Sequence, residues 1–278
     1  MCLNSVLSIL KSHKNQVKIE TNKEDNQIHD SIVEVGNNEE KQAIIEDSNV
    51  IEDSKEKENT VMENERYLVI LGTAHLSSTP GKRSPETDES SPLYFREYAY
   101  SREICKKIKL DFDEMGIDCV LDYEGDDMSG LNSSQELVRR CKIVNQYCSS
   151  RGAKYCIYVS IHVNAAGNSG WKNATGWSIY TTPGQNNSDA LATSIYNEAK
   201  KILEPLGKKI RTDWTDGDAD YESDFYVLKH SNCPAVLTEN FFQDSKTDVQ
   251  WLKSDEGKKA IVDLHVNGIL AYLNNKKN

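Results

Sequence analysis

The chain alternates between short apolar runs and longer amphipathic ones. Tyr67–Leu71 is continuously apolar and meets small residues at Gly72, the pattern of a buried strand stopped by a turn. Beyond Pro92, Tyr98, Ser101, Cys105, Ile108, Phe112 and Met115 recur at three- and four-residue steps with charges between them, which predicts a helix closing at Gly116. "IDCVLDY" reads as a second strand. Ser134 then opens a helical pattern through Leu137, Cys141, Val144 and Cys148 that stops at Gly152. Tyr155, Ile157, Val159 and Ile161 alternate in the most β-like run of the chain, which ends at His162. "TGWSIYTTPG" predicts a strand, Ser188–Leu203 a helix, "CPAVLTENFFQD" a strand, and Trp251–Leu273 one final helix. Strands alternating with helices imply an α/β fold, a mainly parallel sheet with helices on both faces.

Composition divides the chain. No aromatic residue precedes Tyr67, and residues 1–64 hold 14 acidic and 7 basic side chains, or −7 of the total −11. A segment so polar buries too little apolar surface to offset the entropy of ordering it. Residues 1–64 are therefore expected to be an acidic, disordered tail or linker, and residues 65–278 the folded domain. At the start, Leu3, Val6, Leu7, Ile9 and Leu10 stand near helical spacing ahead of Lys11, Lys14 and Lys18. A membrane-touching or partner-binding helix fits that pattern, but a weakly structured terminus fits it better.

Charge and cysteines narrow the functional classes. The acidic balance leaves no basic patch to neutralise phosphates, so no nucleic-acid partner is expected. The seven cysteines contain no CxxC pair and several occupy apolar positions, as free thiols do in a reducing compartment. The opening lacks a positively charged leader region, and no run approaches the roughly 18 apolar residues of a membrane helix. The chain reads as a soluble protein made in the cytoplasm without a recognisable signal peptide.

Candidate chemistry gathers at strand ends. His75 follows the first strand, His162 ends the third, and Glu239 ends "AVLTE". In a parallel sheet such ends converge on one rim. Glu97 falls in the first turn of the helix after the His75 loop, where a carboxylate also suits the helix dipole. Two imidazoles and one carboxylate, with a position left for water, are what a catalytic zinc requires, and a second carboxylate nearby serves as general base. No histidine is followed by glutamate, so the helical HExxH zinc signature is absent.

These residues together resemble the type-3, zinc-dependent N-acetylmuramoyl-L-alanine amidases, which cut peptidoglycan. The resemblance covers about Tyr67 to Leu273: Ala74-His75 after the first strand, Glu97 opening the next helix, "SIHVNA" around His162, and "PAVLTENFF" around Glu239 ahead of the long C-terminal helix. It implies Zn2+ as cofactor, His75, Glu97 and His162 as metal ligands, Glu239 as the catalytic residue, and peptidoglycan, the muramyl-peptide of the cell wall, as substrate. The family usually carries an aspartate before a glycine-histidine pair and glycines after it, whereas this chain reads Gly72-Thr73-Ala74-His75-Leu76-Ser77; it also has Asn240 where a glycine is usual. The partners that brace His75, and the pocket shape, are thus expected to differ.

Glu86, Glu89 and Glu103 compete in sequence with Glu97. His13 and His29 belong to the tail and His265 to the last helix, while His230 lies close enough in sequence to the site to hold substrate. The loops "SSTPGKRSPETDESSP" and "RTDWTDGDADYESDF" read as walls of a substrate groove or as solvated insertions. Beside the amidase reading stand a wall-binding protein with a lost active site and a zinc peptidase acting on free peptides. A phage lysin or a bacterial remodelling enzyme would each act on the cell wall.

Overall fold

The computed structural model describes residues 66–123, Met128 and 130–276; the acidic tail and its N-terminal apolar cluster fall outside them. Six strands form one sheet: β1 (Leu68–Thr73), β2 (Asp118–Leu121), β3 (Cys156–Asn164), β4 (Trp177–Thr181), β5 (Tyr221–Glu222) and β6 (Ala235–Phe242). Their order is β2-β1-β3-β6-β4-β5. The β1–β2, β1–β3 and β3–β6 pairs are parallel, and β4 runs antiparallel to β6. Among the described residues, no helix is long and apolar enough to cross a membrane.

Helices cover both faces, and the period of two along each strand decides which side chain meets which helix. Val69, Leu71, Ile157, Val159, Ile161 and Val236 pack against α1 (Glu97–Glu114), α3 (Asp189–Leu203) and α6 (Asp255–Lys276). Leu68, Ile70, Cys156, Tyr158, Ala235 and Leu237 pack against α2 (Ser133–Arg151) and the single turn α4 (Tyr226–Lys229). The remaining helix, α5 (Lys246–Lys253), sits between β6 and α6 in the chain.

Several boundaries differ from the pattern in the sequence, each for a local reason. Gly72 does not end β1, because it pairs with Ser160 and the strand continues to Thr73. Its missing side chain makes room for Tyr158, whose hydroxyl would lie 2.5 Å from a Cβ at that position. Helix α1 begins at Glu97 rather than soon after Pro92, since residues 93–96 double back on the preceding loop: Ser84 donates its N–H to the Phe95 carbonyl and its hydroxyl to that of Leu93. Met115, expected inside, is 52 % exposed, while Tyr100 and Ile104 complete the buried stripe. Helix α2 is capped by Asn132 and not by Ser134, with Gln135 closing a reciprocal capping box at 3.0 Å in both directions.

The single C-terminal helix expected from Trp251 is two helices. Ser254 is extended, and its hydroxyl accepts the Gly257 N–H at 3.0 Å; with Asp255 and Glu256 behind it, this is a helix start inside an otherwise continuous periodic pattern. A side chain at residue 257 would meet the Trp251 carbonyl at 1.9 Å, so the break depends on glycine.

Candidate metal centre

Glu97 is the first residue of α1 and 1 % exposed. Its Oε1 lies 3.0 Å from Nδ1 of His162 and 3.5 Å from Nε2 of His75, and it accepts the Val163 N–H at 3.1 Å. Oε2 accepts from Gln243 Nε2 at 3.4 Å. The His75 and His162 rings meet edge to face with centroids 4.9 Å apart. One donor atom from each of His75, Glu97 and His162 lies within 4.8 Å of the others. The competing glutamates are engaged elsewhere: Glu86 accepts the backbone N–H groups of Thr87 and Asp88, Glu89 takes the Tyr94 hydroxyl, and Glu103 pairs with Lys258.

Glu239 joins this group through register. It stands opposite His162 on the β3–β6 ladder and opposite Ser178 on the β4–β6 ladder. The ladder shifts just beyond, between His162 and Asn164, and Phe241 turns to a positive φ of 64°. Asn240, fully buried, ties the segment together by donating to the His162 carbonyl at 2.9 Å and accepting from Trp177 Nε1 at 2.9 Å. The residue that departs from the resembled pattern is thus a structural cross-brace.

Electrostatics set these groups apart. Burial alone would raise the Glu97 carboxyl, but the hydrogen bond from His162 and the proximity of both imidazoles outweigh it and hold the group below the ordinary carboxylate range. Burial pulls His162 down despite its bond to Glu97. Glu239 moves the other way, raised first by burial and then by the Glu97 charge, with Lys82 and Arg211 opposing. Buried Nε2 of His75 and Oε2 of Glu239 have no hydrogen-bond partner. Orphaned donor atoms beside two imidazoles and a carboxylate fit a divalent cation with nitrogen and oxygen ligands.

His75 is held by its backbone in the left-handed region, at a φ of 53°. For a residue with a side chain this costs on the order of 1–3 kcal/mol, so the surroundings must enforce it. Before it, the Ala74 N–H donates to Ser101 Oγ at 2.8 Å, and that hydroxyl donates on to the Ile161 carbonyl at 2.6 Å, joining β1, α1 and β3. After it, the Leu76 N–H donates to Thr79 Oγ1 at 3.1 Å. The His75 carbonyl itself accepts from Arg140 Nη2 at 3.2 Å.

Arg140, 3 % exposed, is the centre of a buried ionic network. Its Nη1 donates to Asp122 Oδ1 at 2.8 Å and to Thr73 Oγ1 at 3.1 Å, and its Nε to Glu136 Oε1 at 2.9 Å. Asp122 also accepts the Thr73 N–H at 2.9 Å and the Tyr158 hydroxyl at 2.9 Å, while Glu136 accepts the Thr79 hydroxyl at 3.3 Å. A carboxylate from β2's end, not one just ahead of the histidine, therefore braces this segment. Sequence reasoning missed Asp122, Glu136, Arg140 and Gln243. The available signal was Glu136 and Arg140, four residues apart and next to the apolar stripe of α2.

Other expectations resolve differently. His265 is fully buried in α6 with Nε2 on Thr238 Oγ1 and Nδ1 on the Ile261 carbonyl, an ordinary core histidine. His230 lies ahead of β6 against Tyr226, ring centroids 4.1 Å apart, with its carbonyl held by Asn145; it is not brought to the cluster. His13 and His29 lie outside the described residues. Of the second polar loop, Trp214 packs edge to face on Tyr196 of α3, and Tyr221 stacks on Tyr180 of β4 at the sheet edge.

Residues 69–271 match the family described as N-acetylmuramoyl-L-alanine amidase. The chain belongs to that family. This amidase chain is 33% identical over 130 residues to the N-acetylmuramoyl-L-alanine amidase CwlM of Bacillus licheniformis, covering 47% of this chain and 45% of the relative. It is 27% identical over 136 residues to the endolysin of Bacillus phage SPP1, covering 49% and 47%. It thus spans about half the length of these curated relatives. The amidase fold recurs in the N-acetylmuramoyl-L-alanine amidase of Clostridium difficile 630, at a TM-score of 0.59 and 22% identity, over 76% of this chain and 99% of that one. The CwlD amidase of Clostridioides difficile, solved in complex with the GerS lipoprotein, gives 0.58 at 22% identity over 75% and 99%.

Proposed function

We propose that this chain hydrolyses the amide joining the lactyl group of N-acetylmuramic acid to L-alanine of the stem peptide, outside the cytoplasm, using zinc held by His75, Glu97 and His162. The observation that carries the reading is the meeting of these three side chains at the ends of neighbouring elements, with Glu239 in register beside His162. Bound there, zinc lowers the pKa of a water toward roughly 7 and polarises the scissile carbonyl.

The chain's own residues supply the rest. Glu239 takes the proton from the attacking water and gives it to the departing alanine amine. Burial first, and then the Glu97 charge, raises its carboxyl above the ordinary carboxylate range, which suits a proton acceptor. Glu97, held by Val163 N–H and Gln243, stays ionised, as a ligand must. The Arg140 network fixes the backbone at His75, and Ser101 fixes the distance between the ends of β1 and β3. The activity named for CwlM and the lysin name of the phage relative support this substrate. Incubation with purified sacculi and mapping of new amino termini tests it. Free L-alanine amines are expected; new termini elsewhere in the peptide would make the protein a peptidase, and none at all would make it a binder.

A further inference from the structure

An arginine with no carboxylate against it stands beside the metal centre, at the strand beyond Glu239. His162, Glu239 and Ser178 lie on one rung across β3, β6 and β4. Trp177, the neighbour of Ser178, opposes Asn240, the residue that donates to the His162 carbonyl. Arg211 is joined to this position, its N–H donating to the Trp177 carbonyl at 2.8 Å. Its stem crosses Gly176, where a Cβ would lie 2.8 Å from the Arg211 Cγ and where the φ of 124° also favours glycine. Its guanidinium carbon lies 5.3 Å from the centre of the Phe242 ring and 5.4 Å from that of Tyr221. Backbone, stem and head are thus each held. Yet Nη1 of Arg211 is buried without a hydrogen-bond partner, and among the described residues no carboxylate forms an ion pair with Arg211. That is unusual in a chain of net charge −11, where acidic partners are plentiful.

We propose that Arg211 anchors a free carboxylate on the peptide side of the substrate, an assignment that rests on the amide hydrolysis proposed above. In that reaction Glu239 gives a proton to the departing amine, so the peptide leaves on the Glu239 side of the metal. Arg211 is on that side, since β4 borders β6 on the edge away from β3. The lactyl carboxyl is consumed in the scissile amide, which leaves the carboxylates near the reacting bond in the peptide. A guanidinium meets a carboxylate through two parallel, charge-assisted hydrogen bonds, and it stacks on aromatic faces as it does here on Phe242 and Tyr221. The orphaned Nη1 is one of the donors such a contact uses. The charge of Arg211 also reaches Glu239, where it opposes the rise of the carboxyl. A carboxylate seated on the guanidinium therefore positions the leaving group and screens that charge from the base.

The test uses two synthetic muramyl-peptides that differ in one group, a free carboxylate or a carboxamide on the residue after L-alanine, with the C-terminus amidated in both. Calorimetric titration onto the full-length, zinc-loaded Glu239→Gln protein reads binding without turnover, and kcat and KM on the native protein read hydrolysis. The carboxylate peptide should bind on the order of 10–100-fold more tightly, with the preference carried by KM. Arg211→Met, which keeps an unbranched stem between the rings, should erase the preference while zinc content stays stoichiometric, and Arg211→Lys should restore only part of it. Equal binding of the two peptides, or a preference that survives in Arg211→Met, would overturn the assignment. If the native protein cleaves neither peptide, the amidase reading fails, and the titration still decides whether Arg211 holds the carboxylate.

Discussion

At the scale of single residues, the two glutamates of the centre are separated by what surrounds each. Glu97 faces two imidazoles and a backbone N–H, while Glu239 faces a buried ladder, the Glu97 charge and an orphaned oxygen of its own. Under the proposed roles, Glu239→Gln keeps the shape and removes the base, so turnover on sacculi should fall by on the order of 10²–10⁴ with binding to sacculi retained; steady-state rates and a pull-down measure the two. A second residue reports on charge. Burial first, then Asp218, pushes the Asp220 carboxyl up to about 7 from 3.8, with Asp189 adding to the effect and Thr181 opposing it. The folded state therefore holds a proton that the unfolded chain has released, and stability falls as pH rises through that window. In Asp220→Asn the group stays neutral, and its amide can donate to Asp218. Thermal midpoints should coincide near the lower limit of the window and favour the variant above its upper limit; a constant difference across the window would contradict this origin.

At the scale of elements, positions and partners were unequally legible. The histidines could be read because each ends an apolar run, a pattern local in sequence. The brace of His75 could not, because Asp122, Glu136 and Arg140 look like ordinary surface charges until β2 and α2 bring them under β1. Likewise Gly72 reads as a turn, and only its neighbour across the ladder, Tyr158, shows why it continues a strand. The break at Ser254 was legible as Ser-Asp-Glu-Gly but was overridden by the periodicity on either side. Helix α2 contributes more than its apolar face. Replacing Arg140 by Met leaves Asp122 and Glu136 buried without a cation and the His75 carbonyl without its donor, a loss on the order of 3–5 kcal/mol. Denaturant unfolding should show that drop together with weaker zinc retention, whereas an unchanged midpoint would mean that the network is not a brace.

At the scale of the whole molecule, strand order does the assembling. Residues from β1, β3 and β6 come from distant parts of the chain, yet the order β2-β1-β3-β6 makes their strands neighbours, and α1 returns Glu97 over the same rim. The parallel arrangement was legible from alternating strands and helices. The reversal of β4 was not, because an apolar strand next to β6 reads the same in either direction. The account stands on the claim that His75, Glu97 and His162 hold the metal while Glu239 acts on the water. Zinc content after exhaustive dialysis, measured by elemental analysis on Glu97→Gln and Glu239→Gln side by side, tests it most directly. Glu239→Gln should retain stoichiometric zinc and Glu97→Gln should lose it; zinc lost from Glu239→Gln and kept by Glu97→Gln would contradict the account and exchange the roles of the two glutamates.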